Sequence, residues 1–222
     1  MKLQFSHITK TGGSSLELSA KDYNIYWGLH NKPLWKNVSE NAKVNHREPW
    51  HTPLSFTDDK YIEEVLRQYE FFTIVRNPYT RAVSEYFCLF GSRNGFKKDK
   101  IRSSDVNVFN KNMQQGLQTI KNIIFDKHSL KNATHWQQQH LYIFKNGDHI
   151  IKPSNIIKYE SYSKELNKLF DNYKLPIKSV KHHVSSEMCK HRFTFEHLSK
   201  ENINLINEIY YEDFILLDYK LL

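Results

Sequence analysis

The run Phe71-Phe72-Thr73-Ile74-Val75, bounded by Glu70 and Arg76, constrains the fold more than any other stretch of this chain. A strand with one wet face alternates apolar and polar residues, whereas an unbroken apolar run belongs to a strand covered on both faces, as in a parallel sheet. Pro78 then stands where a helix begins, and Tyr79, Ala82, Val83, Tyr86, Phe87 and Phe90 recur at helical spacing. A strand-turn-helix junction follows, with Arg76-Asn77 in the turn.

A second such junction opens the chain. Leu3-Gln4-Phe5-Ser6-His7-Ile8 reads as a strand, and Thr9-Lys10-Thr11-Gly12-Gly13-Ser14-Ser15 turns from it into a helix. Two glycines permit a tight turn, successive N–H groups at the helix start point outward, and Lys10 with the loop hydroxyls adds donors around an anion-sized space. The plainer reading is a Gly-Ser turn. A Walker A loop needs lysine after its last glycine, but Lys10 precedes Gly12 and Gly13. An Mg-ATP enzyme of that class also ends a buried strand in an acid, and here Arg76 stands in that place, a cation suited to phosphate.

Between the junctions, Asn24–Gly28 is expected as a short strand, 29–56 as irregular, and Thr57-Asp58-Asp59 as the cap of a helix reaching Tyr69. Helical periodicity is expected over 107–127, 135–145, Ser163–Tyr173 and Ser199–Tyr211, with short strands at Ile150-Ile151 and Ile156-Ile157. The alternation predicts an α/β fold with a P-loop-like central parallel β-sheet flanked by helices on both faces. No repeat or linker divides the 222 residues, so a single domain over 1–222 is expected.

The formal charge of +8 favours anionic ligands without choosing among them. Cys88 and Cys189 are too few for a disulfide scaffold or a Cys-only zinc site, and read as two thiols. No run approaches the ~20 apolar residues of a membrane span, and the first strand starts too early for a signal peptide. A cytoplasmic location is therefore expected of the chain as it stands.

The two junctions together resemble the sulfotransferases that use 3′-phosphoadenosine 5′-phosphosulfate, in the carbohydrate branch related to the heparan and chondroitin enzymes. His7 to Ser15 is similar to that family's 5′-phosphosulfate loop, and Val75-Arg76-Asn77-Pro78-Tyr79-Thr80-Arg81-Ala82-Val83-Ser84-Glu85-Tyr86 to its 3′-phosphate motif. Ile157-Lys158-Tyr159-Glu160 and Ile209 to Tyr219 resemble later family segments, while 91–134 finds no counterpart. Relatives in animal cells are anchored and luminal, so a Golgi location is implied only for a trimmed catalytic domain.

The resemblance implies sulfuryl transfer from that donor to a hydroxyl of an acceptor, leaving adenosine 3′,5′-bisphosphate, with no metal. Lys10 would neutralise charge at the bridging oxygen, assisted by the N–H groups of Thr11, Gly12, Gly13, Ser14 and Ser15; Arg76 and Ser84 would hold the 3′-phosphate, and Lys190 and Arg192 would form a late basic lid. The acceptor's proton needs a base near neutrality, and His51 lies in the segment where relatives carry theirs, with His46 and His30 as competitors.

Acceptor contacts are sought at His46, His135 and Trp136, because an aromatic face beside Gln137 to Gln139 suits a sugar, and the basic loop Lys97 to Arg102 favours an anionic glycan. Two other classes compete. A nucleic-acid-binding module accounts for the charge but not for two anion-binding junctions, and a P-loop kinase or ATPase lacks its Gly-Lys-[Ser/Thr].

Overall fold

The computed structural model describes residues 2–44, 48–88, 103–126, 134–177 and 193–222. The chain groups into two compact units, Met1–Arg76 with Gln139–Val184 and Asn77–Gln138 with Ser185–Leu222.

The first unit is built on a parallel sheet of β1 (Lys2–Ser6), β2 (Tyr69–Val75) and a short last strand (Ile156–Lys158), with β2 in the middle. Phe5 stands opposite Phe72, Ser6 opposite Thr73, and Ile74 opposite Ile157. Phe72 and Ile74 share a core with Phe5, with Leu16 and Ala20 of α1 (Gly13–Lys21), and with Leu166, Leu169 and Phe170 of a later helix. Phe71 points the opposite way, toward Trp35 of α2 (Lys32–Asn41) at 6.2 Å between ring centroids. The unbroken apolar run thus has the cause inferred for it: helices cover both faces of β2.

α3 (Asp59–Gln68) leads into β2, and the Asp58 carboxylate accepts the Tyr61 N–H at 2.8 Å as its cap. Beyond the second unit's α4 (Pro78–Tyr86) and α5 (Val106–Phe125), the chain returns through a hairpin of β3 (Phe144–Lys145) and β4 (Asp148–His149). Asn146 and Gly147 turn it with φ of 53° and 90°, the paired left-handed geometry that two-residue hairpins favour. The strand Ile156–Lys158 is then β5, and α6 (Tyr162–Asn172) follows it.

The second unit is helical. α4 and α5 pack with α7 (Lys200–Ile209) and α8 (Tyr211–Leu216) around Tyr79, Val83, Tyr86, Phe109, Leu117, Ile206 and Phe214. Tyr86 meets Phe109 edge-on at 5.0 Å, and Asn112 Nδ2 donates to the Tyr86 hydroxyl at 3.1 Å, so the buried phenol keeps a partner. Asn77 caps α4, its Oδ1 accepting the Tyr79 N–H at 3.0 Å, and Pro78 follows where the missing N–H costs nothing.

Four local expectations are corrected. Asn24–Gly28 is not a strand: α1 ends with the Tyr23 and Ile25 N–H groups on the Ala20 carbonyl, and Asn24 adopts φ 58°, the left-handed turn that ends the helix. Residues 29–56 are not irregular throughout, because α2 occupies ten of them and buries Leu34, Trp35 and Val38. The periodic stretch 135–145 breaks into two short 3₁₀ turns and β3, since Asn146-Gly147 commits its end to a hairpin. Ile150-Ile151 pairs with no strand; both N–H groups go to the Ile143 carbonyl.

Candidate active site

β1 ends at Ser6, and the loop that follows takes two left-handed steps, Lys10 at φ 59° and Gly12 at φ 90°. The second suits glycine, and a Cβ there would also press on the Tyr162 ring at 3.0 Å. The first is unusual for lysine and costs about 1 kcal/mol or more. Leu16 makes the first helical bond of α1, to the Gly12 carbonyl, so the N–H groups of Gly13, Ser14 and Ser15 precede the ladder and face out of the helix end.

The Thr11 hydroxyl donates to the Ile8 carbonyl at 2.8 Å. In this state it shapes the loop.

Arg76, leaving the end of β2, donates from Nη1 to the Lys10 carbonyl at 3.1 Å, and its guanidinium lies over the Tyr159 ring at 4.4 Å. Its own backbone is held by Gln139, whose Oε1 accepts the Arg76 N–H at 2.9 Å and whose Nε2 donates to the Arg76 carbonyl at 2.8 Å. Tyr162 completes the frame, donating to the Gly12 carbonyl at 3.1 Å; burial pushes its phenol well above the usual tyrosine range.

His51 lies at the root of the same loop. It is buried, and its Nδ1 sits 2.9 Å from the His7 carbonyl oxygen. A carbonyl only accepts, so Nδ1 carries the hydrogen and, in the neutral ring, Nε2 is the basic atom. The Tyr142 hydroxyl donates to the His51 carbonyl at 2.7 Å. His30 ends a 3₁₀ turn begun at Gly28, with its backbone N–H on the Trp27 carbonyl at 2.9 Å.

Sequence reasoning missed the partner of His7. The His7 Nδ1 lies 2.8 Å from Glu17 Oε1, and both side chains are almost wholly buried. The signal was present but cryptic, since a strand end and the second turn of the next helix come together across ten residues.

In the second unit Ser84 is buried on α4, as are its neighbours Arg81 and Glu85. The polar side of that helix is therefore enclosed. Arg81 donates from Nη2 to the His135 carbonyl at 2.9 Å, and His135 Nδ1 lies 3.3 Å from Glu85 Oε2. Burial raises Tyr210 far above the ordinary tyrosine range, against the opposing Arg81 cation. Trp136 is 1% exposed and belongs to the helical core, so its ring presents no face to a sugar. Glu85, Cys88 and His135 bring potential ligand atoms within 4.8 Å of one another, but beside a buried arginine this is the chemistry of an ion-pair network.

His46, Lys190, Arg192, Cys189 and the basic loop Lys97 to Arg102 lie outside the described residues. Among those described, no helix is long and apolar enough to cross a membrane.

Lys10, Gly12, Arg76 and His51 thus meet in the first unit around one loop whose donors are cationic or amide, a chemistry that suits an anion. No curated protein and no solved structure matches the chain. Residues 1–220, nearly its whole length, match the model of the sulfotransferase family, a parallel-sheet α/β family that transfers sulfuryl groups to hydroxyl-bearing acceptors, and the chain belongs to it.

Proposed function

We propose that this protein transfers the sulfuryl group of 3′-phosphoadenosine 5′-phosphosulfate to a carbohydrate hydroxyl by in-line displacement, with His51 as general base. The observation that carries the reading is the fixing of His51 Nδ1 on the His7 carbonyl, which sets a basic Nε2 at the root of the glycine loop.

The donor set suits such a nucleotide. Lys10, Arg76 and the N–H groups opening α1 supply positive charge and hydrogen bonds, while the Glu17 carboxylate of α1 is turned inward onto His7. When bound, the donor supplies an activated sulfuryl group on a phosphate. His51 Nε2 takes the acceptor hydroxyl's proton as the new S–O bond forms, and Lys10 with the α1 N–H groups steadies the negative charge that the breaking bond leaves on the phosphate. Arg76 is the residue of this loop suited to the 3′-phosphate. The formal charge of +8 favours an anionic glycan as acceptor. No metal takes part, and the reaction is carried out in the cytoplasm by one domain.

Thermal unfolding with adenosine 3′,5′-bisphosphate and, separately, with Mg-ATP tests the donor class, because a ligand of the folded state raises Tm. The bisphosphate is expected to raise Tm and Mg-ATP to leave it unchanged. The reverse result would overturn the reading in favour of a nucleotide triphosphate enzyme. Labelled donor offered to a glycan panel then reads transfer, which His51→Ala abolishes while bisphosphate stabilisation persists.

A further inference from the structure

We infer that Glu17 and His7 form a positioning pair that holds His51 in the tautomer and orientation general-base catalysis requires. The inference rests on the proposed role of His51.

His7 touches His51 in two ways. Its carbonyl takes the His51 Nδ1–H at 2.9 Å, and its ring meets the His51 ring edge-on at 4.5 Å between centroids. The position of His7 therefore fixes both the tautomer and the plane of the proposed base.

His7 is in turn held at three points. Glu17 Oε1 accepts from its Nδ1 at 2.8 Å, Phe5 packs on its ring at 5.2 Å, and Nε2 abuts Gly13 so closely that a Cβ there would lie 2.4 Å away. Glu17 is as tightly seated: the Leu29 N–H donates to the same Oε1 at 3.3 Å, and a Cβ on Gly28 would fall 1.6 Å from it. Two glycines thus leave room for one carboxylate–imidazole pair. A buried carboxylate is costly to keep unless it is hydrogen-bonded, so a site that only needed to be filled would be served as well by an apolar side chain. The pair instead links the second turn of α1, whose first turn opens the anion loop, to the base. Glu17 touches no reacting atom. It acts through His7.

The test compares Glu17→Ala, Glu17→Gln and wild type by steady-state kinetics, bisphosphate-induced Tm shift, and ¹⁵N spectra of the labelled histidines. Glutamine keeps an acceptor oxygen for His7 Nδ1–H; alanine does not. Glu17→Ala is expected to lower kcat by about 10- to 100-fold with donor KM within about twofold of wild type, the scale on which a small misplacement of a reacting group acts. Its bisphosphate-induced Tm shift persists, and its His51 resonances show a mixture of tautomers where wild type shows Nδ1–H. Glu17→Gln recovers most of the lost kcat and the single tautomer. If Glu17→Ala lacks a cooperative melt, Glu17→Leu fills the volume without the acceptor and takes its place. Unchanged kcat and an unchanged His51 tautomer in the acceptor-less variant would overturn the inference. Retained turnover in His51→Ala overturns the role of His51 instead, so the two failures are told apart.

Discussion

Arg76 reaches back over the glycine loop and donates from Nη1 to the carbonyl of Lys10, 3.1 Å away, so the cation that ends β2 holds a residue of the turn after β1. Two motifs separated by more than sixty residues of chain thereby become one piece of structure. Neighbouring parallel strands make this possible, because the ends of β1 and β2 lie side by side with Ser6 paired to Thr73 and the Thr73 hydroxyl on the Ser6 carbonyl at 2.7 Å.

Arg76→Lys follows from that contact. A lysine lacks both the planar fork and the flat face that lies over Tyr159, so the loop loses its clamp and the proposed donor site its bidentate cation. A lost hydrogen bond to a charged group costs about 1.5–3 kcal/mol, and we expect bisphosphate affinity to fall by roughly 10- to 100-fold, measured by calorimetric titration. Equal affinity in the variant would show that Arg76 serves the loop alone.

Lys10→Gly and Lys10→Ala separate the two things Lys10 does. Both remove the ammonium group, and kcat drops by about 10²- to 10³-fold in each, as for loss of one preorganised electrostatic contact. Their stabilities differ. At φ 59° alanine retains the left-handed strain that glycine lacks, so Lys10→Gly should be the more stable by about 1 kcal/mol in urea unfolding.

Gly12→Ala is expected to destabilise the fold by about 1–3 kcal/mol, since φ 90° disfavours any side chain and the new Cβ meets the Tyr162 ring at 3.0 Å. The Tm of the variant checks this, and a neutral effect would mean that the loop relaxes freely around residue 12.

Glu70 gives a pH dependence of stability. Its burial opposes ionisation, but the Lys152 ammonium at 2.7 Å, with Tyr173 and Asn155, outweighs it and holds the carboxyl below its ordinary value of 4.5. A depressed folded-state pKa means stabilisation that is complete above the unfolded value and fades as pH falls through the folded one. The stability gap between wild type and Glu70→Gln should therefore hold at neutral pH and narrow below 4.5, as read by urea unfolding at a series of pH values. A gap that widened toward acid would contradict the assignment.

The elements legible in the sequence were those whose signal is local and redundant. β2 announced itself by an unbroken apolar run, α4 by Asn77-Pro78 ahead of a periodic stretch, and α7 by Ser199 at its cap. α2 was hidden because Leu34, Trp35 and Val38 are too few to set a period among His, Asn and Lys, although Pro33 marked its first turn. The Asn146-Gly147 hairpin was obscured by helical spacing upstream of it. Of the site, Lys10, Gly12 and Arg76 stood out as types suited to an anion. The pairing of His7 with Glu17, the enclosure of Arg81 and the seat of Trp136 in the helical core depend on contacts between distant segments, which no window of sequence contains.

The turn of chain where a strand was expected has its own consequence. Trp27, packed edge-on against Phe72, donates from its indole Nε1 to the Leu3 carbonyl of β1 at 2.9 Å, while Asn31 Nδ2 donates to the Gln4 amide oxygen at 3.0 Å. An uncovered strand margin is a template on which other polypeptides can assemble into fibres. Here the Leu3 carbonyl is already taken, and a foreign strand pairing at that point must first displace a buried tryptophan.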